Sequence, residues 1–544
     1  MKFLKKNYPY LIILIITLLV GFPLLKTKML DGDDGVFHLF RTFTINAAIK
    51  DGQLIPMVNP YMMNGLGYAY NMFYGIFPPY IINVINILFN NIGFSVNIFI
   101  LLTIFLSGLF MYKFVNHMSK NKYISTLSSI IYMAFPYHLF DIYDRMAVGE
   151  IVSFTLLPLL FFGIYNILNE DGSKWYLVTI GATLLLTSHT ISAFMSAIFA
   201  CLYLLLNIKK LKNKDVIKKL VFSLIFTVFL SLLNLLPLLE VKQNDYMIFD
   251  TSYMKTNSSN MLARSINLFD NTVLSHIVKG SLIIVILMII CYIYLKKKNK
   301  KTNLDFFLLA ILSLILTINI IPWNYLPNIF SSIQFPWRNL TFFCFFLSIS
   351  LPVFLDKIFS LNLKKIFIFT TIILICSIPF INMGLSNKGI DNELLNYNRI
   401  KKRGEIARSN GTASAEYLTG KAIYNYDYLK DYKDPHILST SEKIKANKNG
   451  THLLFSIDLK EKEIIELPFI YYPGYIVKVD GKRKYVFETK NGLTGIELDK
   501  GEYNIEAYYR GSKIMIISYI ISFVTLIIFI TFVLKQNHYL RKKI

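Results

Sequence analysis

IFPPYIINVINILFN, residues 76–90, decides how this chain is threaded. The run is apolar but short, and it carries Pro78, Pro79, Asn83 and Asn86. A membrane span needs roughly 20 apolar residues, with about 17 as a lower limit. If 76–90 crossed a membrane, every later loop would change sides. The lysine clusters Lys209 to Lys219, Lys296 to Lys301 and Lys364-Lys365 would then face outward. If it lies in or on the membrane as a re-entrant or interfacial helix, all three clusters and both chain ends are cytoplasmic, as the positive-inside rule asks.

On that reading the spans are 8–25, 94–115, 124–140, 151–168, 174–188, 190–207, 218–239, 276–295, 304–321, 338–355, 364–382 and 513–534, twelve in all. The expected fold class is an all-α polytopic membrane protein with a small extracytoplasmic β-sandwich-like domain before the last helix. The N-terminus resembles a signal peptide, with Lys2, Lys5 and Lys6 before an apolar run. No small-residue cleavage site follows, so it is read as an anchoring span.

Composition agrees with a membrane protein. The 544 residues are 54% hydrophobic and only 17% charged, against about 25% charged in soluble domains. The formal charge of +23 does not point to nucleic acid, because the lysines fall in short clusters between apolar runs. The four cysteines, Cys201, Cys291, Cys344 and Cys376, all lie within apolar runs without metal-ligand spacing.

The outer loops expected from this topology are 26–93, 141–150, Ser188-His189, 240–275, 322–337 and 384–512. Within the last, 390–450 is polar. From Thr451 short alternating runs (HLLFSIDL, EIIELPFIY, YIVKVDG, KYVFETK, GIELDKG) are separated by turns such as Asp480-Gly481 and Asn491-Gly492, the pattern of an antiparallel sandwich. The domains read as 1–383, transmembrane with first outer loop 26–93; 384–512, extracytoplasmic and β-rich from about 451; and 513–544, the last helix with a basic cytoplasmic tail.

The outer loops also hold most of the chemistry-bearing residues. Residues 31–41 read DGDDGVFHLFR. A helix starting near Asp33 or Asp34 would put Asp34, His38 and Arg41 on one face by i, i+4, i+7 spacing. The bland reading is an N-capped interfacial helix, but capping needs one carboxylate and three are present. Asp141, Asp144, Arg145 and Glu150 form a second group in DIYDRMAVGE, with Arg145 a candidate anion binder and Glu150 alternatively a capping or snorkelling acid. His189 in LTSHTIS is either a satisfied interhelical group or part of an outer site. Gln334, Trp337 and Arg338 occur in SIQFPWRNL. A cation in the first turn after Pro336 is opposed by the helix dipole, so Arg338 calls for a bound anion or a carboxylate partner such as Glu150. No P-loop, Rossmann, HExxH or GxSxG pattern is present.

DGVFHLFR, GLGYAYNMFYG, DRMAVGEIVSF, SHTISAF, IQFPWRNL and LPFIYYPGYIVKVDGK together resemble bacterial membrane proteins named "6-pyruvoyl-tetrahydropterin synthase-related" and the YfhO-like proteins. The histidine-bound zinc of the soluble pterin synthase has no counterpart here. The many spans, acidic first outer loop and outer C-terminal domain also resemble the GT-C glycosyltransferases. That resemblance implies transfer of a sugar from a polyprenyl-phosphate carrier to an envelope polymer or glycolipid, on the outer face of a bacterial cytoplasmic membrane. It implies Asp34 or Asp33 as the catalytic carboxylate, assisted by His38, with Asp31 the remaining alternative. Arg41, Arg145, Glu150, His189, Gln334, Trp337 and Arg338 would bind substrate or phosphate. No resident metal is assigned, and a divalent cation is a candidate cofactor. The rival expectation is a flippase or exporter of lipid-linked polysaccharide. An enzymatically dead, polymer-binding scaffold ranks last, because so many spans exceed what anchoring requires.

Overall fold

The computed structural model describes residues 2–244, 264–299, 303–390, 417–430, 436–438, 443–445 and 447–543. Much of the polar stretch 390–450, and part of loop 240–275, lies outside the described residues. Seven described helices are long and apolar enough to cross a membrane: Ile92–Ser119, Val148–Asn169, Lys214–Lys242, Val273–Lys297, Pro336–Phe359, Leu363–Ser386 and Lys513–Gln536. The other stretches read as spans form shorter pieces. Apolar helices of 10–17 residues cover Asn7–Val20, Tyr176–Leu186, Thr190–Leu206 and Asp305–Ile315.

Local causes shorten them. The stretch 124–140 becomes a helix Lys122–Ala134, then a break, then Pro136–Phe140. Pro136 holds Phe135 extended at φ −63° and ψ 135°, as a residue before proline prefers. The stretch 174–188 ends at Leu186, just before His189 caps the next helix through a bond from Ser192 N. Segment 76–90 forms Phe77–Phe89, which at 1.5 Å per residue is about 20 Å long against a hydrocarbon core of about 30 Å.

The chain divides into two compact units. The first comprises Met1–Gly35, Ile85–Thr227 and Thr256–Ile390. Its helices are labelled α1 (Lys2–Val20), α2 (Ile92–Ser119), α3 (Lys122–Ala134), α4 (Pro136–Phe140), α5 (Val148–Asn169), α6 (Tyr176–Leu186), α7 (Thr190–Leu206), α8 (Lys214–Asn244, which continues into the second unit), α9 (Val273–Lys297), α10 (Asp305–Ile315), α11 (Asn339–Phe359) and α12 (Leu363–Ser386). Two glycines let α5 and α6 approach closely. A Cβ on Gly163 would lie 2.6 Å from the Val178 nitrogen, and one on Gly181 would lie 2.8 Å from the Leu160 nitrogen. Small residues at such crossings allow backbone contact that larger ones forbid. Gly163→Leu is therefore expected to cost about 1–3 kcal/mol by overpacking. A thermal unfolding midpoint unchanged in detergent would contradict that close packing.

The second unit comprises Val36–Val84, Val228–Lys255 and Asp391–Ile544. It holds two five-stranded antiparallel sheets. In chain order the strands are β1 (His436–Leu438), β2 (Lys443–Lys445), β3 (Asn447–Asn449), β4 (His452–Leu459), β5 (Glu463–Ile470), β6 (Tyr475–Val479), β7 (Lys482–Lys484), β8 (Phe487–Glu488), β9 (Leu493–Leu498) and β10 (Gly501–Tyr509). The sheet orders are β2-β1-β5-β9-β8 and β3-β4-β10-β6-β7. Asp480 and Gly481 both take positive φ, +49° and +78°, which suits the tight hairpin joining β6 to β7.

Residues 57–73 share a core with these strands. Met57, Leu66, Tyr68 and Tyr70 are buried in the same apolar cluster as Leu453, Leu467 and Phe469. The Ile470 N–H donates to the Leu66 carbonyl at 2.8 Å. Lys448 donates to the carbonyls of Gly65 and Pro468 and lies 4.4 Å from the centre of the Phe469 ring. The compact unit thus joins part of loop 26–93 to the sandwich, whereas the sequence assigns that loop to the transmembrane domain. The reason is its aromatic and methionine content, which is buried among the strands.

Candidate functional site

The first unit gathers charges from four separate stretches of sequence. After α4 the backbone makes one wide i→i+5 turn, Asp141–Arg145, and Met146 closes it in the left-handed region at φ +51°. Such turns re-aim side chains and recur at functional sites. This one brings Asp141 and Arg145 to the start of α5, where Glu150 lies in the first turn.

Arg145 Nη1 donates to Asp141 Oδ1 and to Glu150 Oε2, both at 2.7 Å. Glu150 is 2% exposed. It also accepts from the Tyr137 hydroxyl at 2.7 Å and the Thr341 hydroxyl at 3.0 Å. Arg338 Nε lies 3.4 Å from Glu150 Oε2. Glu150 is therefore the hub of the cluster. Arg338, opposed by the helix dipole, has the carboxylate partner that its position calls for. Its Nη1 is held by the Ile333 carbonyl and Gln334 Oε1, each at 2.9 Å. Gln334 sits at φ +64°, an uncommon conformation for a side-chain-bearing residue.

The acidic loop meets this cluster through its backbone. The Asp34 N–H donates to the Arg145 carbonyl at 2.9 Å, and the Asp33 N–H to the Asp144 carbonyl at 3.3 Å. A Cβ on Gly32 would stand 2.7 Å from the Asp144 oxygen, so only glycine allows this approach. Gly32→Ala is expected to push Asp33 and Asp34 away from Arg145, at a cost of about 1–3 kcal/mol. An unchanged thermal midpoint in that variant would argue against the approach described here.

The three acids differ in their surroundings. Asp31 is exposed, and its side chain accepts from Gly32 N at 2.9 Å. Its backbone is paired with the Asn387 side chain. Asp33 is exposed. Asp34 is half-buried, and among the described residues no donor reaches its carboxylate. Burial pushes the Asp34 carboxyl above the usual carboxylate range, with Arg145 and Arg338 pulling the other way. Beside it opens a cavity of about 440 Å³, lined by Asp31, Asp33, Tyr143, Asp144, Ser386 and Asn387 among others.

Of the remaining sequence candidates, His189 is near enough to act electrostatically on Glu150, whereas His38 and Arg41 belong to the second unit. His189 caps α7, its Nδ1 2.7 Å from Ser192 Oγ. The Trp337 ring stacks on Phe335, centroids 4.4 Å apart. Helix Gly35–Lys50 begins after Asp34, so Asp34 precedes the face it was expected to share with His38 and Arg41. Those two belong to the second unit. Arg41 is 1% exposed and donates to the carbonyls of Tyr74 and Gly75 and to Asn71 Oδ1. Its guanidinium also lies 4.8 Å from the Tyr74 ring centre. It braces a loop there instead of being open to a phosphate. His38 is buried edge-on against Phe37 and Tyr74.

Tyr137, Thr341 and Arg264 escaped the sequence reading. Tyr137 is four residues before Asp141, and Thr341 is three after Arg338, so helical spacing from the charged residues was the available signal. Arg264 lies 5.0 Å from the Phe335 ring centre and Arg338 5.1 Å from it. Nothing in its local sequence marks Arg264. Among the described residues no group of three or more His, Cys, Asp or Glu is placed to hold a metal ion.

A family model described as "Bacterial membrane protein YfhO" matches residues 63–400. An "Uncharacterized protein" of Lactococcus lactis subsp. cremoris (strain MG1363) is 30% identical over 341 residues, covering 59% of this chain and 56% of that protein. "Uncharacterized protein YfhO" of Bacillus subtilis (strain 168) is 28% identical over 158 residues, covering 29% of this chain and 18% of that protein. The chain thus spans little more than half of the first relative's length and under a fifth of the second's. No solved structure matches.

Proposed function

This chain belongs to the YfhO family of bacterial membrane proteins, and from that premise we propose that it is a GT-C-type glycosyltransferase of the cytoplasmic membrane. It moves a sugar from a polyprenyl-phosphate carrier to an envelope polymer or glycolipid at the outer face. Twelve membrane segments, with both termini cytoplasmic, complete this reading. The observation that carries it is Asp34, a half-buried carboxylate with a raised pKa and no donor of its own among the described residues, fixed to the Arg145 backbone.

Chemically, the Asp34 carboxylate takes the proton of an acceptor hydroxyl. The hydroxyl oxygen bonds to the anomeric carbon, and the bond from that carbon to the phosphate oxygen breaks. The phosphate leaves with the electron pair, and guanidinium groups stabilise its charge. Arg338 and Arg264, both against Phe335, would supply that charge; Arg338 shares Glu150 with Arg145, which Asp141 also holds.

The test compares envelopes from a deletion strain and its complemented parent, followed by transfer from a polyprenyl-phosphate sugar in membrane vesicles. Loss of one sugar decoration, restored by the wild-type gene and by transfer in vitro, is the expected result. Unchanged envelope sugars and no transfer would remove the reading. Labelling of an Asp34→Cys variant lacking the four native cysteines separates transport, which requires access from both faces, from transfer, which requires access from outside alone.

A further inference from the structure

We infer that the start of α8 carries a seat for one anionic phospholipid, independent of the site above. Between Ile208 and Lys219 the chain has six lysines and one aspartate, Asp215. Two of these lysines are already engaged. Lys210 donates to Asn169 Oδ1 at 2.5 Å and Asn207 Oδ1 at 2.6 Å, and Lys219 donates to the Asp171 carbonyl. Lys214 and Lys218 are exposed and have no partner among the described residues. Four residues apart, they lie on one face of the helix.

That same face continues as a shallow, open apolar groove of about 400 Å³ on the surface of α8 alone, lined by Lys214, Lys218, Ile217, Val221, Phe222 and Ile225. Ile217, Val221 and Ile225 are 46%, 48% and 47% exposed, forming a ridge at i, i+4, i+8. From Ile217 to Ile225 the apolar part runs about 12 Å at 1.5 Å per residue. One leaflet of hydrocarbon is about 15 Å deep, half of a 30 Å core. The apolar part therefore accommodates most of one acyl chain, with two ammonium groups toward the headgroup.

The two lysines also sit in the first turns of a helix, where the dipole disfavours cations and favours anions. A lipid phosphate answers both. Orientation by the positive-inside rule requires basic residues at this end, but it does not require an apolar groove beneath them. The occupant fitting an apolar groove headed by two cations is a two-chain phospholipid with a net negative headgroup.

The experiment uses the full chain purified in nonionic detergent and native mass spectrometry. The probes are phosphatidylglycerol, phosphatidylcholine with the same acyl chains, and inorganic phosphate as competitor. Phosphatidylglycerol is expected to bind more tightly than phosphatidylcholine. Lys214→Gln/Lys218→Gln is expected to erase that preference, weakening phosphatidylglycerol by about fivefold per lysine. Val221→Trp, which fills the groove but keeps both lysines, is expected to lower binding of both lipids. Lys296→Gln/Lys297→Gln, at the end of α9, is expected to change neither. All the altered side chains except Lys296 and Lys297 lie on the exposed face described here, and elution at the wild-type volume confirms folding. Equal binding of the two lipids would overturn the inference. So would a preference that survives the Lys214/Lys218 variant, groove filling without effect, or full displacement by inorganic phosphate.

Discussion

Replacing Glu150 with alanine is expected to cost about 3–5 kcal/mol of stability, the usual penalty for leaving a buried ionic group without its partner. Glu150 accepts from Arg145, Tyr137 and Thr341 and lies 3.4 Å from Arg338 Nε. Its removal would leave Arg145 with Asp141 alone, and would take from Arg338 its carboxylate partner. Glu150→Gln keeps the shape and the two hydroxyl contacts but not the charge, so it should fall between wild type and alanine. Adding Arg145→Met to Glu150→Ala should recover part of the loss, because replacing both partners avoids the uncompensated charge. Thermal unfolding in detergent measures all three. A loss below about 1 kcal/mol for Glu150→Ala would mean that this cluster is open to water and only weakly coupled.

Asp34→Asn is expected to lower sugar transfer by about 10²- to 10⁴-fold, the contribution of a positioned general base, while the protein stays folded. Asp33→Asn, on an exposed side chain, should have a small effect. Asp31→Asn keeps an acceptor for the Gly32 N–H and should also stay active. If Asp34→Asn transfers within threefold of wild type at normal expression, Asp34 is not the base.

The pH dependence gives an independent reading of the same residue. The folded carboxyl binds its proton more tightly than the unfolded one, whose pKa is about 3.9. Below that value both states are protonated and the stabilising contribution of the neutral group is complete. It is lost as pH rises through the folded pKa. Transfer runs the other way, rising with pH as the base loses its proton. The asparagine variant should therefore be at least as stable as wild type at neutral pH, and should lack the acid limb of the stability curve due to Asp34.

Some of this was legible in the chain itself. Apolar character is a local property, so the long helices from Ile92 to Ser119 and from Lys513 onward follow directly from composition. The β-strands after Thr451 follow from alternation and from turns such as Asp480-Gly481. Helix ends were less legible. Pro136 starts a new helix within what reads as the continuous span 124–140, because one backbone conformation outweighs average hydropathy, whereas the break at Ser188-His189 was legible.

For the site, the sequence by itself determined which residue types lie in the expected outer loops: DGDDGVFHLFR, Arg145, Glu150 and Arg338. Only the tertiary structure decided which charges neutralise one another. It set Glu150 between Arg145, Arg338, Tyr137 and Thr341, and it divided the opening motif after Gly35, with Asp34 in one unit and His38 and Arg41 in the other. The physical reason is distance along the chain. Hydropathy acts over the length of one helix, whereas the buried contacts of Glu150 reach as far as Thr341, 191 residues further along the chain, and depend on how the helices pack.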